Sequence, residues 1–185
     1  MIRFCIVSTA LIFGTLLCAQ TKSAPSKAAD EETSLARVSN SFMLLVKATY
    51  ADTATLFGPS GERVWAGDDW DPKFLYPRPE RDVEGAVFTV QHGSHRSVWV
   101  NSVRDIEARH FQYVYFIADA LVTVIDVRFT PVDAAATKVD VTYTRTALNP
   151  DANGHVHSLG EQDSASAPEW QAAIDRYLQG KVPPR

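Results

Sequence analysis

The stretches "LVTVIDVRF" (residues 121–129) and "KVDVTYTRTAL" (138–148) alternate their side chains with a period of two. Leu121, Thr123, Ile125, Val127 and Phe129 fall on one side, with Asp126 and Arg128 on the other; Val139, Val141 and Tyr143 likewise oppose Asp140, Thr142 and Thr144. Successive residues of a strand point to opposite faces, so the pattern describes a sheet with one covered and one wet face. Upstream, "GAVFTVQ" (85–91), "RSVWVNSVR" (96–104) and "FQYVYFI" (111–117) share the β-branched and aromatic content, and the short breaks "HGSH", "DIEAR", "ADA" and "PVDAAAT" separate the five runs. An antiparallel meander is predicted, and its apolar face needs a cover.

"SAPEWQAAIDRYLQG" (166–180, preceded by Ala165) supplies one. Trp170, Ala173, Ile174, Tyr177 and Leu178 recur at helical spacing, with Ser166 placed as N-cap, Pro168 in the first turn and Gly180 past the end. Ahead of the meander, "SFMLLVKATY" (41–50) reads as a strand, and "ADTATLFGPSGERVW" (51–65) as short helix broken by Gly58 and Pro59. The expected fold class is α+β, a curved antiparallel sheet gripping a long C-terminal helix, with a cavity beneath the helix.

The N-terminus has a different character. Arg3 followed by the apolar run Phe4–Cys18 reads as a secretory signal over residues 1–19, too short for a stable membrane span. Residues 20–34 have linker composition, leaving 35–182 as the domain. Secretion or periplasmic location is the expectation; lipid anchoring through Cys18 is the lesser alternative, because Leu17 is bulky for such a processing site. Both cysteines, Cys5 and Cys18, lie in the signal, so the expected mature chain has no thiol chemistry. A net charge of -4, with neither sign gathered into a run, excludes the basic surface that nucleic acid requires.

"FGPSGERVWAGDDWDPKFLYP" (57–77), "GAVFTVQHG" (85–93), "VWV" (98–100) and "VTYTRTALNPDANGHV" (141–156) resemble segments of small bacterial members of the SRPBCC superfamily. That superfamily includes START lipid-binding domains, birch-pollen-allergen-like proteins and the polyketide cyclase/dehydrase group. The resemblance spans roughly residues 40 to 180 and implies a helix-grip fold with a hydrophobic cavity for a small apolar or amphiphilic ligand. It carries no catalytic signature.

Within that frame, Asp71 before Pro72 is expected to start a turn, and Trp65, Trp70 and Tyr76 to form the packing wall and mouth of the cavity. Asp68, Asp69 and Asp71 lack the ligand alternation of a calcium loop, and His92, His95, His155 and His157 lack a third ligand in register, so no metal and no cofactor are expected. Ligand contacts are expected from Phe88, Trp99, Phe111, Tyr113, Tyr115, Tyr143, Trp170 and Tyr177 as well. Arg145 shares the Tyr143 face; its fork suits a carboxylate, although snorkelling to water at the strand end is the favoured reading. Three functions follow: an exported carrier of a small lipophilic molecule, favoured because no catalytic group stands out; a cyclase-, dehydratase- or hydrolase-like enzyme using the same cavity; or an envelope protein-interaction domain. Oligomeric state is not encoded in any feature of the sequence.

Overall fold

The computed structural model describes residues 34–92 and 95–181. The expected signal (1–19) and all of the expected linker except Ser34 lie outside the described residues. Seven strands form one antiparallel sheet: β1 (Arg37–Val46), β2 (Lys73–Tyr76), β3 (Val87–His92), β4 (His95–Asp105), β5 (His110–Ile117), β6 (Leu121–Pro131) and β7 (Thr137–Ala147). Their order across the sheet is β1-β7-β6-β5-β4-β3-β2. Helix α1 (Tyr50–Ala54) and a 3-10 turn (Gly61–Val64) join β1 to β2, and α2 (Asn153–Ala165) and α3 (Ala167–Lys181) follow β7. This is the expected α+β helix-grip architecture.

Strand β1 starts and stops four residues earlier than its apolar run suggests. The Thr49 hydroxyl accepts a hydrogen bond from the Asp52 N–H, which caps a new helix at Tyr50 and ends the extended chain. At the other end, the helix expected over residues 166–180 is present as α3, and a second helix, α2, precedes it. Pro168, the second residue of α3, has no N–H to continue the ladder of α2. Ser166 occupies the junction: its carbonyl accepts from Trp170 N–H, while its hydroxyl turns back to the Gln162 carbonyl. Gly180 lies inside α3 rather than beyond it, and His155 and His157 are helical rather than in a loop.

α2 escapes periodicity arguments because its buried face consists of Val156, Gly160 and Asp163. These are spaced i, i+4, i+7, yet only one is a large apolar residue. Gly160 is what lets the helix lie against β1: a Cβ there would sit 2.6 Å from Val38 Cγ1.

Register converts the strands into rows of side chains on the concave face. One row runs Val38–Arg145–Thr123–Tyr115–Trp99–Phe88–Phe74 across all seven strands. The next is Asn40–Tyr143–Ile125–Tyr113–Asn101, and a third Phe42–Val141–Val127–Phe111–Arg104. Every residue of β6 expected inward from alternation, Leu121 to Phe129, is buried.

The free edge of β1 is closed by side-chain amides. Gln171 of α3 accepts from Leu45 N–H at 2.9 Å and donates to Leu45 C=O at 3.0 Å; Asn153 of α2 does the same for Ala36 N–H and Ser34 C=O, at 2.7 and 2.9 Å. Unpaired edge groups template association, so these amides both hold the helices and blunt the edge. Gln171→Ala is expected to lose about 1–2 kcal/mol of stability in urea unfolding, from two hydrogen bonds of modest net worth. An unchanged midpoint would show that the amide only decorates the edge.

Candidate functional site

The two central rows floor a cavity split into two chambers. An inner chamber of ≈ 40 Å³ is walled by Phe88, Trp99, Tyr113, Ile125, Val127 and Tyr143 from the sheet, with Phe57, Pro59, Glu62 and Trp70 from the β1–β2 connection and Trp170 from α3. A single water needs about 10–15 Å³ by this kind of measure, so the space suits a few waters. An outer chamber of ≈ 480 Å³ lies beside it, bordered by His95, Ser97, Tyr115, Ile117, Ala120, Arg145, His155 and Leu159. Trp99 and Tyr143 border both and form the partition.

The walls are held by ring packing. Trp99 stacks on Tyr115 at 4.2 Å and on Phe88 at 5.7 Å, and Trp70 meets Trp99 edge-on at 5.4 Å. Trp170 packs on Phe42 and Trp65, at 5.2 and 5.1 Å. Each such pair contributes about 0.5–1.5 kcal/mol beyond area burial, enough to fix the wall without filling it. The indole N–H groups are spent on the scaffold: Trp70 donates to the Pro59 carbonyl, Trp65 to that of Leu56 and Trp99 to the Ser97 hydroxyl.

Glu62 is the carboxyl of the inner chamber, and sequence reasoning missed it. Its position follows from two glycines. Gly58 has φ +124°, open to glycine at little cost, and a Cβ there would lie 2.6 Å from Asp82 Oδ2. Gly61 rides on the backbone, where a Cβ would fall 2.2 Å from the Thr55 carbonyl oxygen. The Asp82 carboxylate accepts from the N–H groups of Ser60 and Gly61, and Glu62 Oε1 accepts from Gly58 N–H at 3.1 Å. Part of Glu62 borders a shallow cleft with Trp65, Glu169, Trp170 and Arg176, so the residue keeps some exposed surface. Its carboxyl is nevertheless pushed up to about 8, first by desolvation, with the Asp82 charge adding to it against the Gly58 N–H bond and Arg104. Burial also raises the hydroxyls of Tyr113 and Tyr143, and the Glu62 charge is the largest charge effect on each. Glu62, Tyr113 and Tyr143 all border the chamber, and burial favours the protonated form of each. Tyr113 Oη is buried and has no hydrogen-bond partner among the described residues; the same is true of Asn101 Oδ1, its cross-strand neighbour's amide oxygen.

Arg145 corrects the snorkelling expectation. It is 5% exposed, and its fork holds Asp163 of α2 through Nε to Oδ2 at 2.7 Å and Nη2 to Oδ1 at 2.6 Å. Nη1 donates to the Tyr115 hydroxyl and to Thr123 Oγ1. Burial opposes the charge, but the Asp163 hydrogen bonds and the neighbouring negative groups hold the guanidinium above the ordinary arginine pKa. The side chain faces the cavity because α2, absent from the sequence reading, covers the strand end and brings its counter-ion.

The other expected contacts divide cleanly. Trp70, Phe88, Trp99, Tyr113, Tyr143 and Trp170 line the inner chamber, and Trp99, Tyr115, Tyr143 and Arg145 the outer one. Four do not reach either chamber. Tyr76 is 60% exposed, because the register shift between Phe74 and Tyr76 turns it out of the sheet. Phe111 is closed core, edge-on to Phe129 at 4.8 Å beneath the Arg104 guanidinium. Trp65 packs between Phe57 and Trp170 at the outer cleft rather than on the sheet, and Tyr177 is half-buried against the core. The turn expected at Asp71–Pro72 falls instead at Asp68–Asp69, and the Asp71 carboxylate pairs with Lys73.

Neither a family model nor a curated protein sequence matches the chain. Solved structures do match its fold. Norcoclaurine synthase from Thalictrum flavum superposes with a TM-score of 0.59 at 12% identity, over 93% of this chain and 99% of that one. A protein from Thermobifida fusca gives 0.54 at 21%, over 77% and 93%. DynU16, from the dynemicin biosynthetic locus, gives 0.54 at 17%, over 78% of this chain and 48% of its own. These likenesses show the helix-grip fold, as the residues implied.

Two expectations test the site. Free Glu62 ionises near 4.5 and the folded residue near 8, so between those values the folded chain holds the extra proton and stability falls as pH rises. The melting temperature of Glu62→Gln should therefore gain on the parent from about pH 4.5 to 8 and then run parallel; a constant offset would mean a solvated carboxyl. Asp163→Ala, which strands a buried guanidinium, should cost about 3–5 kcal/mol, whereas Arg145→Met with Asp163→Leu should cost far less in the same unfolding assay.

Proposed function

We propose that the chain is an exported protein that holds one small lipophilic molecule in the cavity between sheet and C-terminal helices. The observation that carries this reading is the outer chamber of ≈ 480 Å³, walled by Trp99, Tyr115, Ile117, Tyr143 and Leu159 with Arg145 among them. Such a wall offers apolar area in a preformed space of the size that small-molecule sites have, with a few polar groups to fix orientation. The inner chamber beyond the partition has room for a few waters. Export rests on the composition of residues 1–19. The described residues contain no cluster of metal-binding side chains and no helix long and apolar enough to cross a membrane. Norcoclaurine synthase has been seen in complex with dopamine and hydroxybenzaldehyde, which supports a small ring as cargo for a cavity of this fold.

A second reading, a cyclase- or dehydratase-like enzyme using the same cavity, is favoured by the place of the Glu62 carboxyl on the inner chamber, where burial pushes it up to about 8.

The test is native mass spectrometry of the mature protein purified from its own host's envelope, with a denatured control to identify what is released. A stoichiometric lipophilic passenger is expected. An empty protein that also takes up no member of a panel of fatty acids, sterols and aromatic compounds would overturn the carrier reading.

A further inference from the structure

Strand β2 and its flanks carry a surface feature that takes no part in the cavity. Lys73, Leu75, Arg78 and Arg96 border one groove of ≈ 340 Å³, together with Asp71 and Thr89. Thr89 alternates with Phe88, which faces the cavity, so its wall of the groove lies on the convex side of the sheet. Register extends the groove into two rows, Lys73–Thr89–Val98–Phe116 and Tyr76–Val87–Val100. Leu75, Tyr76, Val98 and Phe116 are between 41% and 60% exposed. Exposed apolar groups scattered singly are ordinary, but these are neighbours, with half-buried Val87 and Val100 between them. The cations beside them are little engaged. Arg78 donates to the Phe74 carbonyl at 3.1 Å and Arg96 to Thr89 Oγ1 at 3.5 Å, and neither forms an ion pair among the described residues. Lys73 pairs with Asp71 at 2.7 Å, but both side chains are well exposed, where such a pair contributes little. Glu80, the acid nearest Arg78 in sequence, is taken by Arg63 at 3.0 Å. In a chain of net charge -4, folding thus gathers three cations around an apolar patch.

We propose that this face docks on an anionic lipid surface, with Lys73, Arg78 and Arg96 at the phosphates and Leu75, Tyr76 and Phe116 entering the headgroup boundary. Charge beside apolar area is what such a surface rewards: each cation gains from the negative potential, and apolar side chains bury at the acyl boundary. Tyrosine suits the headgroup level, where its ring is apolar and its hydroxyl stays wet. An extended acidic peptide added to the β2 edge would find little to pair with. The strand has four residues and a register shift, and Pro72, Pro77 and Pro79 around it have no N–H to donate. The docking does not depend on the carrier reading, because the cavity lies on the other face of the sheet.

The test pellets the mature protein with sucrose-loaded vesicles, either phosphatidylcholine alone or phosphatidylcholine with an equal part of phosphatidylglycerol, at low and at high salt. Binding to the phosphatidylglycerol vesicles is expected at low salt, lost at high salt as the charges are screened, with none to phosphatidylcholine alone. Arg78→Gln with Arg96→Gln should weaken binding by roughly tenfold or more, from about fivefold per cation. Arg128→Gln with Lys138→Gln makes the same charge change among the ion pairs on the polar half of this face, and should weaken it far less. In Tyr76→Trp the fluorescence should move to shorter wavelength on the anionic vesicles. Folding of every variant is checked by near-ultraviolet circular dichroism. Equal binding to both vesicle types, or an equal loss in the two double variants, overturns the proposal, because charge at this patch would not be what binds. No binding to either vesicle overturns it as well and leaves the cavity reading untouched. In that event a dimer abolished by Leu75→Ser with Tyr76→Ser would assign the patch to a second copy of the chain, and binding of polyglutamate would assign it to an acidic protein.

Discussion

A guanidinium in the concave face of a β-sheet is tolerable only with a counter-ion that also satisfies its hydrogen bonds, and Arg145 obtains that counter-ion from a helix. The rest of the arrangement hangs on this demand. Asp163 must sit above β7, so α2 must cross the sheet there, which Gly160 permits by bringing the helix backbone close to Val38. With α2 fixed, Pro168 redirects the chain and Trp170 arrives over the inner chamber. The remaining guanidinium donor, Nη1, holds the Tyr115 hydroxyl, and Tyr115 in turn stacks on Trp99, the partition of the cavity. One ionic contact thus sets the helix cover and, through a row of neighbouring strands, the shape of the space beneath it.

The cavity is asymmetric in its chemistry as well as its size. Its outer part is bordered by Arg145 and two histidines, with the arginine's charge already matched inside the protein. Its inner part is bordered by a carboxyl that makes no ion pair, and burial favours keeping the proton on it. A charged partner in one chamber and a neutralised acid in the other give the two ends different appetites for ligand groups.

Much of the fold was legible from period alone. In β5, β6 and β7 the inward positions follow from the period of two, and Phe111, Tyr113, Tyr115 and the Leu121–Phe129 series are buried as read. What failed did so for local reasons. Tyr76 follows a bulge, where alternation breaks. α2 presents one valine, a glycine and an aspartate inward, so hydropathy carries no trace of its face. Arg145 was read as a strand-end residue because the helix that covers it was not foreseen. Glu62 escaped because a one-turn 3-10 element has no period, and its place depends on two glycine contacts with distant backbone and Asp82. Its only sequence trace was its setting, between glycines and tryptophans in the segment already read as the cavity wall.

In the proposed carrier, the amide clamps on β1 would bear on how a ligand enters. Gln171 belongs to the helix that closes the inner chamber, so any opening that swings α3 away also bares the strand edge that Gln171 occupies. Ligand exchange by that route would periodically create a surface ready to pair with another chain. The segment from Gly58 to Trp70 lies off that edge and packs on Trp170 and Trp99 through Trp65 and Trp70. In the proposed carrier, passage beside that segment would leave the β1 edge covered.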